Sequence, residues 1–287
     1  MNTIGMTIAE SFGLPRDWHV SMAPQGSDEW LAARKGAVTG SRAKDACDYT
    51  EAKPEKIIKK TGEIIPAVPE LPSAKALTYA RDTAREREGA DAPAVYQNAA
   101  MRFGTEQEPH ARRAYELRTG YMVEAAGFIS TPDRKIGVSI DGLVYDEPGQ
   151  RGGIEIKTIV GSNVLFDAVI GGDISEYLHQ CHLNTWAWHL DWIDLCLWVP
   201  DLAVESARLT VIRIERDQEF IDDMLMKLVR FERLVESCCQ QLRDFQAGAK
   251  PAADPAPPWA GATPAPTPAP SAAPITTASA ELADADF

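Results

Sequence analysis

One short strand limits what this chain can fold into. Gly153-Ile154-Glu155-Ile156-Lys157-Thr158 is rich in β-branched residues and alternates apolar with charged positions, which predicts a β-strand. Alternate residues of a strand face the same side, so Glu155 and Lys157 project one way and Ile154 and Ile156 the other. Two charges on a strand expected to be central are costly to bury unless partnered. A partner lies just upstream. Ser139-Ile140-Asp141-Gly142-Leu143 puts Asp141 at the end of a predicted strand over 136–140, beside a glycine that permits a kink or a close backbone approach. The turn signal Asp146-Glu147-Pro148-Gly149-Gln150 separates the two segments. A hairpin of this kind lets Asp141 and Glu155 converge. Like charges at that range repel unless a divalent cation lies between them. Carboxylate donors select magnesium or manganese over zinc. Taken alone, an aspartate followed by Glu-x-Lys also fits a half-buried strand with a solvated Glu–Lys pair.

The surrounding pattern predicts an α/β fold with a central mixed β-sheet flanked by helices. Ser27 is a natural N-cap for a short helix through Arg34, with Asp28 and Glu29 in its first turn and Gly36 ending it. A second short helix is expected after Thr39-Gly40-Ser41. Residues 50–72, with four prolines, read as a long loop or irregular arm. Helices are expected over 74–88 and about 93–118, the latter interrupted at Gly104. Strands are expected over 122–124, 127–130, 136–140, 142–145 and 153–159. A helix over 174–189, strands over 193–199 and 207–214, and a long amphipathic helix over 216–245 complete the body.

The body is expected to be one domain, residues 1–246. From Ala247 to Phe287 the chain holds 9 of its 20 prolines and few large apolar residues, which predicts a disordered tail. The formal net charge of −13 argues against a protein that coats nucleic acid by charge alone. It leaves room for a metal site that brings its own positive charge. No apolar run is long enough to span a membrane, and no basic segment followed by an apolar run opens the sequence, so a cytoplasmic protein is expected. The five cysteines form no C-x-x-C pair and read as buried free thiols.

Four ordered blocks strengthen the Asp141–Glu155–Lys157 reading. They are Gln25 to Arg42, Phe103 to Arg113 (Phe-Gly-Thr-Glu-Gln-Glu-Pro-His-Ala-Arg-Arg), the Asp141…Glu155-x-Lys157 window, and Tyr177 to Trp186. Together, over roughly residues 24–240, they resemble the lambda-exonuclease/YqaJ family of phage recombinase nucleases in the PD-(D/E)xK superfamily. The resemblance implies a restriction-endonuclease-like core. It also implies Mg2+, with Mn2+ as a substitute, at one or two ions per site, held by Glu108, Asp141, Glu155 and the carbonyl of Ile156. By the same resemblance Lys157 orients or activates the attacking water. Gln180, with Tyr177 a turn before it, supplies the glutamine motif behind the site. Arg34 and Ser41 match positions that grip the terminal 5′-phosphate of DNA. Tyr177 is counted with them, and Arg42 is a further candidate. The implied activity is 5′→3′ digestion of linear double-stranded DNA from its ends, leaving 3′ single strands for a single-strand annealing protein, and the family's rings imply a homotrimer. Other readings are an endonuclease or RecB-type nuclease on the same core, and a non-catalytic DNA-end-binding scaffold. The chain has Ile140 where the family often has proline, a backbone preference that leaves the chemistry intact.

Other features have plainer explanations. Glu106 lies two positions from Glu108 and cannot share its helix face. His179 and His182 lack further ligands for zinc. Trp186, Trp188, Trp192 and Trp198 overlap an apolar run and read as core rather than as base-stacking platforms. Lys75, Arg81, Arg85 and Arg87 read as a solvated helix face, with DNA-backbone contact as the alternative. The acidic tip Glu281 to Phe287 resembles the tail of bacterial single-strand DNA-binding proteins, and a solubilising end is the plainer reading.

Overall fold

Strand β9 (Arg151–Thr158) is the middle of a five-stranded sheet, as its alternation requires. The structure, a computed structural model, describes residues 17–61, 63–90, 99–145 and 151–248. The chain divides into Met1–Pro251 and Ala252–Phe287, and all described residues belong to the first unit. The Pro/Ala-rich tail beyond Gly248, with its acidic tip, lies outside them, as does the turn at 146–150.

On one side β9 pairs antiparallel with β8 (Gly142–Tyr145), which pairs with β5 (Val123–Glu124). On the other it runs parallel to β10 (Trp192–Trp198), which pairs antiparallel with β11 (Leu209–Glu215). The sheet is therefore mixed. A parallel neighbour requires a crossover. It is supplied by a helical stretch over 162–170 and by a helix over Leu178–Ala187. Gly152 allows the indole of Trp192 to lie flat on β9, because a Cβ there would come within 2.2 Å of the ring.

The helices are α1 (Asp28–Arg34), α2 (Ala43–Ala46), α3 (Ala74–Arg87), α4 (Ala99–Thr119), α5 (Leu178–Ala187) and α6 (Gln218–Gln246). Ser27 caps α1 by accepting from the Trp30 N–H, and Gly36 follows with a φ of 73°. Helix α4 packs on one face of the sheet. Its Ala111 and Tyr115 join Val144, Ile154, Ile156, Trp192, Cys196 and Trp198 in one core. Helix α5 covers the opposite face, and α3 packs along α6. The five cysteines are buried free thiols. No helix among the described residues is long and apolar enough to cross a membrane.

Several elements depart from expectation. Helix α4 runs through Gly104 without interruption and also accommodates Pro109. Gly104 faces open space, so it costs only propensity, and burial of Ala111 and Tyr115 outweighs that. Helix α5 starts at Leu178 rather than near 174. The expected arm at 50–72 is an antiparallel pair, β3 (Lys56–Ile57) with β4 (Ile64–Ile65). A second sheet was not anticipated. It joins β1 (His19–Ser21), β6 (Phe128–Ser130), β7 (Ile136–Ser139) and β2 (Val38–Thr39). The chain passes from this sheet to the larger one between β7 and β8, at Ile140-Asp141.

The buried carboxylate of Asp194 on β10 is partnered on the α4 side. Arg213, directly opposite on β11, bonds both its oxygens at 2.9 and 3.0 Å, and the Tyr115 hydroxyl donates at 2.7 Å. The guanidinium also stacks 3.6 Å from the Trp192 ring centre. Arg213→Ala leaves a buried charge with one neutral donor. It is expected to cost about 3 kcal/mol, roughly 6–12 °C in melting temperature, read by thermal denaturation.

Candidate active site

The site forms where β8 stops pairing with β9. The last pair is Gly142 with Ile154, and the Asp141 N–H donates to the Ile154 carbonyl at 3.2 Å. One pleat further along β9 the Ile156 N–H has run past the partner strand. The Asp141 carboxylate takes it, Oδ2 accepting at 2.6 Å. Asp141 is thereby fixed beside Glu155, as the sequence spacing predicts.

Glu155 and Lys157 face α5, opposite to Ile154 and Ile156. Glu155 is 2% exposed. Its Oε1 accepts from Gln180 Nε2 at 2.5 Å and from Lys157 Nζ at 2.9 Å, and its Oε2 accepts from Asn184 Nδ2 at 2.9 Å. The Gln180 carbonyl accepts from Lys157 Nζ at 3.0 Å. One glutamine amide therefore orients both the carboxylate and the ammonium.

Glu108 reaches this group from α4 and is half-buried, whereas Glu106 is exposed. Burial, reinforced by Asp141, pushes the Glu108 carboxyl up to about 7. Glu155 is also pushed up to about 7, by burial first and then by Asp141 and Glu108, against Lys157. Burial likewise raises Asp141, opposed by Lys157, the Ile156 N–H and Arg112. For Lys157, burial acts downward, but Glu155 and Asp141 outweigh it and raise the pKa. Lysine here stays an ammonium.

The structure thus brings together Glu108, Asp141, Glu155, Lys157 and Gln180. Tyr177 directly precedes α5 within electrostatic reach of Lys157. The turn Gly40–Arg42 lies against α5, so exposed Ser41 is next to the site. Arg42 stacks 4.1 Å from the Tyr79 ring centre and pairs with Asp45 at 2.7 Å. Arg34 lies over its own Trp30 at 4.1 Å, and burial lowers its pKa against Tyr79 and Glu86. Arg34 and Arg42 therefore share the surroundings of Tyr79 and do not contact the carboxylates. His179 and His182 pack on Phe220, with ring centres 5.1 and 4.6 Å away. Trp188, Trp192 and Trp198 are core, whereas Trp186 is half-buried and pairs with Trp18 at 5.4 Å. Arg87 is structural, gripping both oxygens of Glu232 and the Gly36 carbonyl.

Two residues escaped the sequence reading. Arg112, one helical turn after Glu108, donates to the Asp141 carbonyl. Asn184, one turn after Gln180, completes the hold on Glu155. Their helical spacing from Glu108 and Gln180 was the available signal.

The donors are all oxygens on acids that crowd one another, which suits a hard divalent cation. Among the described residues no three acidic, histidine or cysteine side chains are drawn close enough to enclose an ion as they stand. The hydrogen bonds above already use both Glu155 oxygens and Oδ2 of Asp141. The set fits such an ion in charge and donor chemistry, and its carboxylates are held in place by Gln180, Asn184 and the Ile156 N–H.

A YqaJ-like viral recombinase domain model matches residues 29–187, a span containing every residue of this group. The fold is similar to a crystal structure of an alkaline exonuclease, LHK-Exo, from Laribacter hongkongensis. Identity is 28%, the match covers 78% of this chain and 100% of that one, and the TM-score is 0.61. The same enzyme in complex with dAMP matches with a TM-score of 0.62, at the same identity and coverage. A phage-related exonuclease from Haemophilus somnus 129PT shares the fold at 17% identity, with 72% of this chain and 96% of that one covered and a TM-score of 0.51. No curated protein matches the sequence. With more than half its length matched, the chain belongs to the YqaJ-like viral recombinase domain family.

Proposed function

We propose that the chain is a metal-dependent exonuclease that digests linear double-stranded DNA from its ends in the 5′→3′ direction. Its product would be a 3′ single strand for recombination by annealing. The observation that carries this reading is the hydrogen-bonded group of Glu155, Lys157 and Gln180, with Asp141 fixed beside it and Glu108 facing it from α4. The 28% identity to an alkaline exonuclease supports the same chemistry.

Glu108, Asp141, Glu155 and the Ile156 carbonyl would hold one or two Mg2+ ions, or Mn2+. Such ions supply a more acidic water and neutralise charge on the phosphate. The protein's own groups do the rest. Lys157 keeps its proton, so it places positive charge at the phosphate and orients water rather than accepting a proton. Gln180 fixes Lys157 relative to Glu155. Asp141 uses the Ile156 N–H to stay in register with β9. Ser41, Arg34 and Arg42, with Tyr177, form the side that takes a terminal 5′-phosphate. A homotrimer, a single-strand annealing protein as partner, a separate tail from residue 247 and a cytoplasmic setting belong to the same reading.

The test is one linear duplex labelled separately at each 5′ and 3′ end, beside its closed circular form, with magnesium and with EDTA. Magnesium-dependent loss of 5′ label with the circle intact is expected. Cleavage of the circle would make the protein an endonuclease, and binding without cleavage would make it a scaffold. In the same assay Arg34→Ala is expected to lose about tenfold of the preference for a 5′-phosphorylated end, the scale of one charge-assisted hydrogen bond. Equal wild-type rates on phosphorylated and unphosphorylated ends would remove Arg34 from that role.

A further inference from the structure

We infer that Asn184 is a positioning residue for Glu155, a role that rests on the nuclease reading above. Gln180 and Asn184 stand at i and i+4 on α5 and share one face. Each donates a side-chain amide N–H to a different oxygen of the same carboxylate, Gln180 to Oε1 at 2.5 Å and Asn184 to Oε2 at 2.9 Å. A carboxylate held at both oxygens from one rigid helix cannot turn about its last torsion without breaking a bond. Gln180 alone cannot supply this hold, because it reaches only Oε1.

The rest of the Asn184 side chain shows that packing is not its purpose. The residue is fully buried, yet its Oδ1 has no hydrogen-bond partner. Burying a carbonyl without a partner is costly, and an apolar side chain of the same shape would avoid that cost. The opposite amide orientation would set Oδ1 against the Glu155 oxygen, so the donor assignment follows from the contact itself. The orphaned oxygen faces Gly40, where an added Cβ would come to 3.4 Å from it. Asn184 therefore lies between the Gly40–Arg42 turn and the carboxylate, and its donor is the part the site uses. Groups that orient a metal-binding carboxylate from behind typically change metal affinity 10–100-fold when removed, as an order of magnitude.

The test uses the full chain and Mn2+ without DNA, following the paramagnetic signal of free Mn2+. Asn184→Leu keeps the branched shape without the donor and Asn184→Ala empties the position, and thermal melting of the metal-free proteins checks the fold of each. The expected result is a variant that melts like wild type and binds Mn2+ about tenfold more weakly. With DNA present, kcat should fall while KM stays unchanged. Wild-type Mn2+ affinity in a folded variant overturns the inference, as does a wild type that binds no Mn2+. A wild type that binds Mn2+ but cuts no DNA defeats the nuclease reading alone, and the affinity difference still decides the role of Asn184.

Discussion

Lys157→Ala is expected to bind duplex DNA ends as the wild type does and to cut them about 10²–10³-fold more slowly. The expectation follows from what the ammonium does and does not support. Its Nζ bonds Glu155 and the Gln180 carbonyl, but Glu155 keeps both amide donors when the lysine is gone. The carboxylates thus stay placed, and the loss is one positive charge beside the reacting phosphate. Glu155 and Asp141 raise the Lys157 pKa in the metal-free protein, so its ammonium is the favoured form there. A wild-type rate with no alkaline step that belongs to a lysine base is expected. Single-turnover cleavage at saturating magnesium, with affinity read separately by fluorescence anisotropy, checks both halves. Cleavage by Lys157→Ala within a few-fold of wild type would show that the charge is dispensable.

The α/β class and the face shared by Glu155 and Lys157 were both legible in the sequence, for physical reasons. A period of two over Gly153–Thr158 determines which side chains share a face, and Asp141 beside a glycine marks the break where β8 begins. Two positions on a helix cannot point the same way, so Glu106 and Glu108 could not both join the group, and in the structure Glu108 is half-buried and Glu106 exposed. Contacts that depend on a third element left no such trace. Asn184 reads as one more residue of a helix until β9 is seen to carry Glu155 beneath it. Asp194 reads as a flaw in an apolar strand until Arg213 is placed opposite. Two strands of the smaller sheet were expected, over 127–130 and 136–140, but their partners β1 and β2 run only two or three residues, too short to show a period, so the separate sheet was not. The β3–β4 arm is almost wholly exposed, so no burial pattern marks it. Gly104 misled because local propensity favours a break, whereas the packing of Ala111 and Tyr115 on the sheet holds α4 together.

Divalent ions should stabilise the protein strongly near pH 8 and hardly at all near pH 5. Glu108 and Glu155 are pushed up to about 7 in the fold, while an unfolded glutamate ionises near its ordinary 4.5. Between those values the folded protein holds protons that the unfolded chain has released. Stability from these groups is therefore full below about 4.5 and is lost as pH rises through about 7. Above that the metal-free fold carries ionised acids that burial and mutual repulsion disfavour. A cation bound there offsets that cost, whereas near pH 5 protons occupy the same carboxylates and compete. At about 100 times its dissociation constant an ion adds about 2.7 kcal/mol, several degrees in melting temperature. His179, His182 and His189, whose pKa values burial lowers, act in the opposite direction, losing stability as pH falls. The decisive quantity is therefore the difference between wild type and Glu155→Gln, which cancels the histidines. That variant should show a flatter fall in metal-free melting temperature from pH 5 to 8 and should lose most of the gain from magnesium. Cleavage by the wild type should rise across the same interval, because ionising Glu108 and Glu155 creates the charge that holds the ion. An equal magnesium gain at both pH values, or in both proteins, would mean that these acids are not where the ion binds.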